Sequence, residues 1–245
     1  MIQHCFVVAD IRRKRRALGA FVLGALSLVA CGGGGGTADP LPSGTAAQCF
    51  EDGLYASGTR VVIDYEVGGN GAGGSRRLEI TVPSTDATFE GTPGLIELNT
   101  VSFDGFTSTV VSRYLKRTAP NVFAEYGSRA ISGPASNRTT HTLTYMPALV
   151  DTRATLTLGA SVSLNAKVTD TFVSFSNGTG TITSDYASTV KFAGLEKIAI
   201  KAGSYLACRF ELPTRTEWIS RGFVVKATGG DPLEMKSGSV NGAPL

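Results

Sequence analysis

Two histidines and four cysteines are the side chains of this 245-residue sequence best suited to chemistry, and their positions restrict what they can do. His4 and Cys5 stand ahead of a basic run, Arg12-Arg13-Lys14-Arg15-Arg16, and an apolar block from Ala17 to Ala30. His141, in "RTTHTLTYM", shares strand parity with Leu143 and Tyr145, the setting of a core imidazole. A Ser-His-Asp hydrolase would have to use His141, but no Gly-x-Ser-x-Gly elbow accompanies it. One histidine and two paired cysteines do not make a tetrahedral zinc site, and no calcium-loop spacing occurs. Glu51, Asp52 and Glu196 read as scattered surface acids. The glycines between 68 and 74 lack the Gly-Lys-Ser/Thr of a phosphate loop. The sequence therefore predicts no catalytic residue, no metal and no cofactor.

The apolar block is 14 residues long. That is short of the roughly 20 needed to span a bilayer, but it suits the core of a secretory signal behind a basic segment. Its end, Leu28-Val29-Ala30-Cys31, resembles the processing site of bacterial lipoproteins. The resemblance implies cleavage before Cys31 and lipid on its thiol and new amino group. A plain signal peptide containing a cysteine is the alternative, and the arginine pair leaves Sec and twin-arginine export both open. Gly32 to Gly36 would tether the fold to the bilayer, and several acyl chains hold far more firmly than one. In lipoproteins of this type an Asp after the cysteine marks inner-membrane retention; Gly32 stands there, so the expected site is the outer membrane, on its periplasmic face or at the cell surface.

With Cys5 and Cys31 accounted for, Cys49 and Cys208 remain, and an oxidising periplasm favours one disulfide between them over two separate buried thiols. The basic excess disappears too. Five of the 23 basic residues and one of the 20 acidic ones precede Cys31, so the remainder is slightly acidic and gives no reason to expect a nucleic-acid partner. Three segments follow: a signal over 1–30, a glycine-rich tether over 31–45, and one β domain over 46–245, with a helical turn near Ala46 to Leu54.

Alternation dominates that domain. Val61, Ile63, Tyr65 and Val67 fall on one side of a strand, as do Leu78, Ile80 and Val82 of the next, and Val162, Leu164, Ala166 and Val168 further on. Breaks of phase near Asn99 and between Thr169 and Phe172 predict bulges or bends. The turn signals imply ten to twelve strands. The predicted fold class is all-β: one curved antiparallel sheet closing to a half-barrel or barrel.

Near the C-terminus, "VKFAGLEKIAIKAGSYLACRFE" and "TEWISRGFVVKATGGDP" resemble a signature of uncharacterised secreted β-proteins of Gram-negative bacteria, through Gly194, Glu196, Gly203, Cys208, Trp218 and Gly222. Lys201 departs from that pattern, which usually has proline. The resemblance implies an architecture similar to the lipoprotein-carrier half-barrel, a sheet around an apolar concavity. As strands, Ile198, Ile200, Leu206, Cys208 and Phe210 are expected to point inward around a turn at Ala202-Gly203. The functional expectation is a non-enzymatic outer-membrane lipoprotein that binds a hydrophobic small molecule or, alternatively, docks an envelope protein, with a His141 hydrolase as the minor alternative.

Overall fold

The structure, a computed structural model, describes residues 44–68, 74–103, 108–133, 138–174 and 178–245. The predicted signal, Cys31 and nearly all of the tether lie outside the described residues. The strands are β1 Arg60–Val67, β2 Gly74–Phe89, β3 Thr92–Phe103, β4 Ser108–Ala119, β5 Val122–Ser132, β6 Thr139–Asp151, β7 Ser161–Ser174, β8 Gly178–Ile200, β9 Gly203–Glu211, β10 Thr216–Ser220, β11 Phe223–Thr228, β12 Leu233–Val240 and β13 Ala243–Pro244. Each pairs with the next, and β1 also pairs antiparallel with β12, from Val61 opposite Val240 to Val67 opposite Leu233. Twelve strands thus close a barrel, with β13 added beside the end of β12.

The alternation read in β1, β2 and β7 sets the inside. Val61, Ile63, Tyr65, Leu78, Ile80, Leu164 and Ala166 are buried, while Arg60 pairs with Glu79 and Arg77 with Asp64 on the outer wall. In β1 and β2 the apolar side chains face inward and the charged ones face out.

Closure is strongly staggered. Pairing partners followed across the wall from Val61 run through Ile80, Thr100, Val111, Ala130, His141 and Phe172 to Gly180. The path starts near the beginning of β1 and reaches β8 near its own beginning, at the opposite end of the barrel. That end, where β7 turns into β8, forms an open rim. The base is plugged by two 3-10 turns, Ala46–Cys49 and Asp52–Tyr55, where the helical turn was expected. They are held by Gly222 N–H donating to the Cys49 carbonyl and Asn121 N–H donating to Asp52 Oδ1. Cys49 and Cys208 form the expected disulfide, Cα atoms 5.9 Å apart across 159 residues of sequence. A closed loop of that length is worth about 5 kcal/mol of chain entropy in the unfolded state.

Two long hairpins fold back over the outside. In the first, the ring of Phe89 at the β2–β3 tip stacks on Tyr114, centroids 4.4 Å apart, and Glu90 reaches Arg129. Register shifts in β2, opposite the break read near Asn99, produce the bend. Gly127 lies beneath Phe89, and a Cβ there would collide with the ring and with the Leu143 carbonyl. In the second, β8 bulges between Phe192 and Gly194, whose φ of 135° suits glycine.

The extra residue reverses the parity of the rest of β8. Ile198 and Ile200 therefore lie against the outer wall with Glu196 instead of pointing inward as expected, and Leu206, also expected inward, is 45% exposed. Cys208 and Phe210 are inward and fully buried, as expected. By contrast, β7 pairs with both neighbours without a register shift, so the break read between Thr169 and Phe172 is no bulge. There Asp170 simply occupies an inward position and Val173 an outward one.

Substituting Gly127 by alanine is expected to keep the fold and to lower its stability by about 1–3 kcal/mol, since backbone and ring must both move. Urea denaturation measures it. An unchanged midpoint would mean that the β2–β3 tip does not lie on β5.

Candidate functional site

The interior has two zones of different chemistry. Toward the base it holds charge. Arg113 on β4 donates from Nε to Glu125 Oε1 on β5 at 3.0 Å and pairs a second time through Nη2, both side chains almost wholly buried. Arg153, on the connection between β6 and β7, grips Asp151 through Nε at 3.0 Å and Nη2 at 2.7 Å, and the Arg153 backbone N–H donates to the same carboxylate at 3.0 Å. Its Nη1 lies 3.8 Å from Glu217, which also pairs with Arg215, and its guanidinium sits 5.8 Å from the Phe210 ring centroid. The three arginines and three carboxylates balance, the condition under which buried charge is tolerated.

Burial alone would raise the carboxyl of Asp151, but the adjacent Arg153 charge and hydrogen bonds hold it well below the usual range. Burial pushes the Tyr55 phenol up to about 12. Tyr65 is also raised by burial, and its hydroxyl donates to the Val224 carbonyl at 2.9 Å. A cavity of about 20 Å³ remains beside Tyr55, Ile80, Leu98 and Arg113, about one water in size. No acyl chain fits there.

Toward the rim the inner face opens. His141 on β6 accepts no apolar burial of the kind its neighbours suggested. Its Nδ1 is 3.1 Å from both Asp170 oxygens on β7, and the two side chains are 22% and 23% exposed. A carboxylate at Nδ1 fixes the proton there and leaves Nε2 as the acceptor of the neutral ring. Phe172 stands one cross-strand position from His141, ring centroids 6.0 Å apart, and spreads over Gly180, where a Cβ would occupy the ring's place. Leu143 pairs with Asp170 and is half-buried. The arrangement is an apolar floor with one oriented imidazole–carboxylate pair. It provides two members of a nucleophilic triad, and among the described residues the ring's hydrogen bonds are the two to Asp170.

Of the C-terminal signature, Glu196 and Trp218 meet on the outer wall, whereas Cys208 is buried in the disulfide and Gly222 holds the Cys49 carbonyl at the base. Glu196 accepts from Trp218 Nε1 at 2.8 Å and pairs with Arg209, and Lys226 Nζ lies 5.7 Å from the Trp218 ring centroid. At the hairpin tip, beside Gly203, Lys201 pairs with Glu66, and its N–H donates to Glu234 Oε1 at 3.1 Å. Gly194 makes the bend, Gly203 and Gly222 the turns, and the signature is an assembly device that clasps the β8–β9 hairpin to β10–β12. Sequence reading missed Asp170 and the buried ions. Parity carried the signal for both: Asp170 falls between inward Val168 and Phe172, and Arg113 falls in step with Val111.

Asp151 makes stability pH-dependent in a defined direction. A depressed carboxyl contributes fully above its unfolded value near 4, and that contribution is withdrawn as pH falls from there toward the folded value. Asp151→Asn should be less stable than the parent at about pH 7, and the gap should narrow by about pH 2.5. Urea midpoints at both pH values decide it, and a constant gap would sink the assignment.

No family model, no curated protein and no solved structure matches this chain.

Proposed function

We propose that the protein is a non-enzymatic lipoprotein, attached through Cys31 to the outer membrane, that holds a small amphiphile at the rim of its barrel. The observation that carries this reading is the contrast within one inner face. At the base the face is buried and ionically satisfied, whereas at the rim His141, Leu143, Asp170 and Phe172 stay half-open. The apolar part of the ligand lies on Leu143 and Phe172, and a donor in its head group meets Nε2 of His141.

A second reading, docking of an envelope protein, is favoured by a separate feature. Val101, Val110, Ile131 and Val173 lie in one row across the outside of β3 to β7, interrupted by Thr140, and Val173 is 52% exposed. Exposed apolar rows of this kind mark contact surfaces.

Native mass spectrometry with lipid extraction, on the full chain from membranes, tests the ligand reading. A stoichiometric adduct that disappears in Phe172→Asp, with the barrel intact by circular dichroism, is the expected result. A bare parent chain would remove the ligand reading and leave docking. In the same cells Cys31→Ser should move the protein out of the membrane fraction; retention there would overturn the anchor.

A further inference from the structure

The first half of β8 is an open edge. From Gly178 to Lys191 it pairs with β7, but β9 joins it only from Lys191 onward. Among the described residues no strand lies along the other side of residues 178–190. At about 3.4 Å per residue this is an edge about 40 Å long, and its ladder with β7 runs without a register shift. Asp185 is its one charged residue, and it holds no proline and no lysine. Natural sheets protect such edges with bulges, lysines, prolines or shortness, and none of these is present.

We propose that this edge pairs antiparallel with the same edge of a second copy, joining two barrels through one continuous sheet about a twofold axis at Ser184. The stretch is self-complementary in that register. Asp185 then stands opposite Thr183 of the other copy, so the one charge meets no like charge. Ile182, 58% exposed in the single chain, stands opposite Tyr186, and the axis repeats that pair. Aromatic and β-branched residues facing each other across strands are favourable partners. Gly180 stands opposite Ser188 and Thr181 opposite Ala187, small residues that leave the backbones free to approach. A twofold axis one residue further on would set Asp185 against Asp185, a like-charge pair that the Ser184 axis avoids. Contacts of this kind are isologous and closed, so they stop at a dimer.

Cysteine cross-linking in native membranes reads the geometry directly on the full chain. Ser184→Cys places two thiols across the axis and should give a dimer on a non-reducing gel, whereas Ser163→Cys, exposed on β7 away from the edge, and the parent chain should not. In the Ser184→Cys background, Thr183→Asp opposes two carboxylates across each of two pairs and should cut the dimer at least tenfold, while Thr183→Lys opposes unlike charges and should retain it. Thr183 is exposed, so neither change threatens the barrel. No dimer from Ser184→Cys, equal dimer from Ser163→Cys, or indifference to the charge at position 183 would overturn the proposal. A cross-link to a different protein would do the same and would reassign the edge to a foreign strand. None of these outcomes depends on a ligand at the rim.

Discussion

Closure of the sheet between β1 and β12 is the constraint on which the other features rest. A twelve-stranded sheet with one apolar face has to bury that face, and the pairing of Val61 through Val67 with β12 does so by turning the sheet on itself. Because the closure is staggered, the inner face is not equally deep everywhere. It is sealed at the base, where the N-terminal 3-10 turns and the disulfide sit, and it runs out into the open along β6 to β8. The contrast between a packed base and an open rim follows from one geometric choice.

A barrel this wide cannot be filled by aliphatic side chains alone, and the base shows the alternative used. Arg113 and Arg153 each meet a carboxylate with two guanidinium nitrogens at once, and Arg215 adds a third cation beside Glu217. Placing those charges indoors carries a large desolvation penalty, which their mutual pairing offsets. The solution is specific in a way that aliphatic packing is not, because each guanidinium accepts only one arrangement of partners. It also couples distant elements: Arg153, from the loop after β6, ties that loop to Glu217 on β10.

Much of this architecture was legible in the sequence because strands expose their facing by parity. Val61, Ile63 and Tyr65, or Leu164 and Ala166, need no more than a period of two to be placed inside. The same rule failed where a bulge intervened. Ile198 and Ile200 keep step with Phe192 in sequence, but the added residue at Gly194 sends them to the other side, and no local feature states which strand absorbs the extra residue. Asp170 and Arg113 failed differently. Their inward parity was readable, but a charge at an inward position looks like an error of phase until its partner is known, and His141 and Glu125 come from other strands. The break near Asn99 became a true bulge because β2 had to bend outward there; that at Thr169 did not.

The two halves of the barrel use one plan, and their difference accounts for the open edge. In each half the hairpin of the second and third strands bends outward over an aromatic residue of the fourth: Phe89 at the β2–β3 tip on Tyr114, and Glu196, partway along β8, on Trp218. In each, the fourth and fifth strands shift register directly after that aromatic residue, between Tyr114 and Leu115 and between Trp218 and Ile219. The halves part in how the second strand is shared. β2 is paired on both sides from Arg77 to Thr81, since β1 and β3 overlap along it. β8 hands over from β7 to β9 at Lys191 and Phe192, the latter bonded to Gly159 and Ala160 just ahead of β7 while it faces Phe210. With 23 residues in β8 and nine in β9, the third strand of the second half is too short to accompany its neighbour back to the rim. The unpaired backbone of residues 178–190 is thus the consequence of a short β9 within an otherwise repeated plan, and it lies on the side of the rim where the inner face is already open.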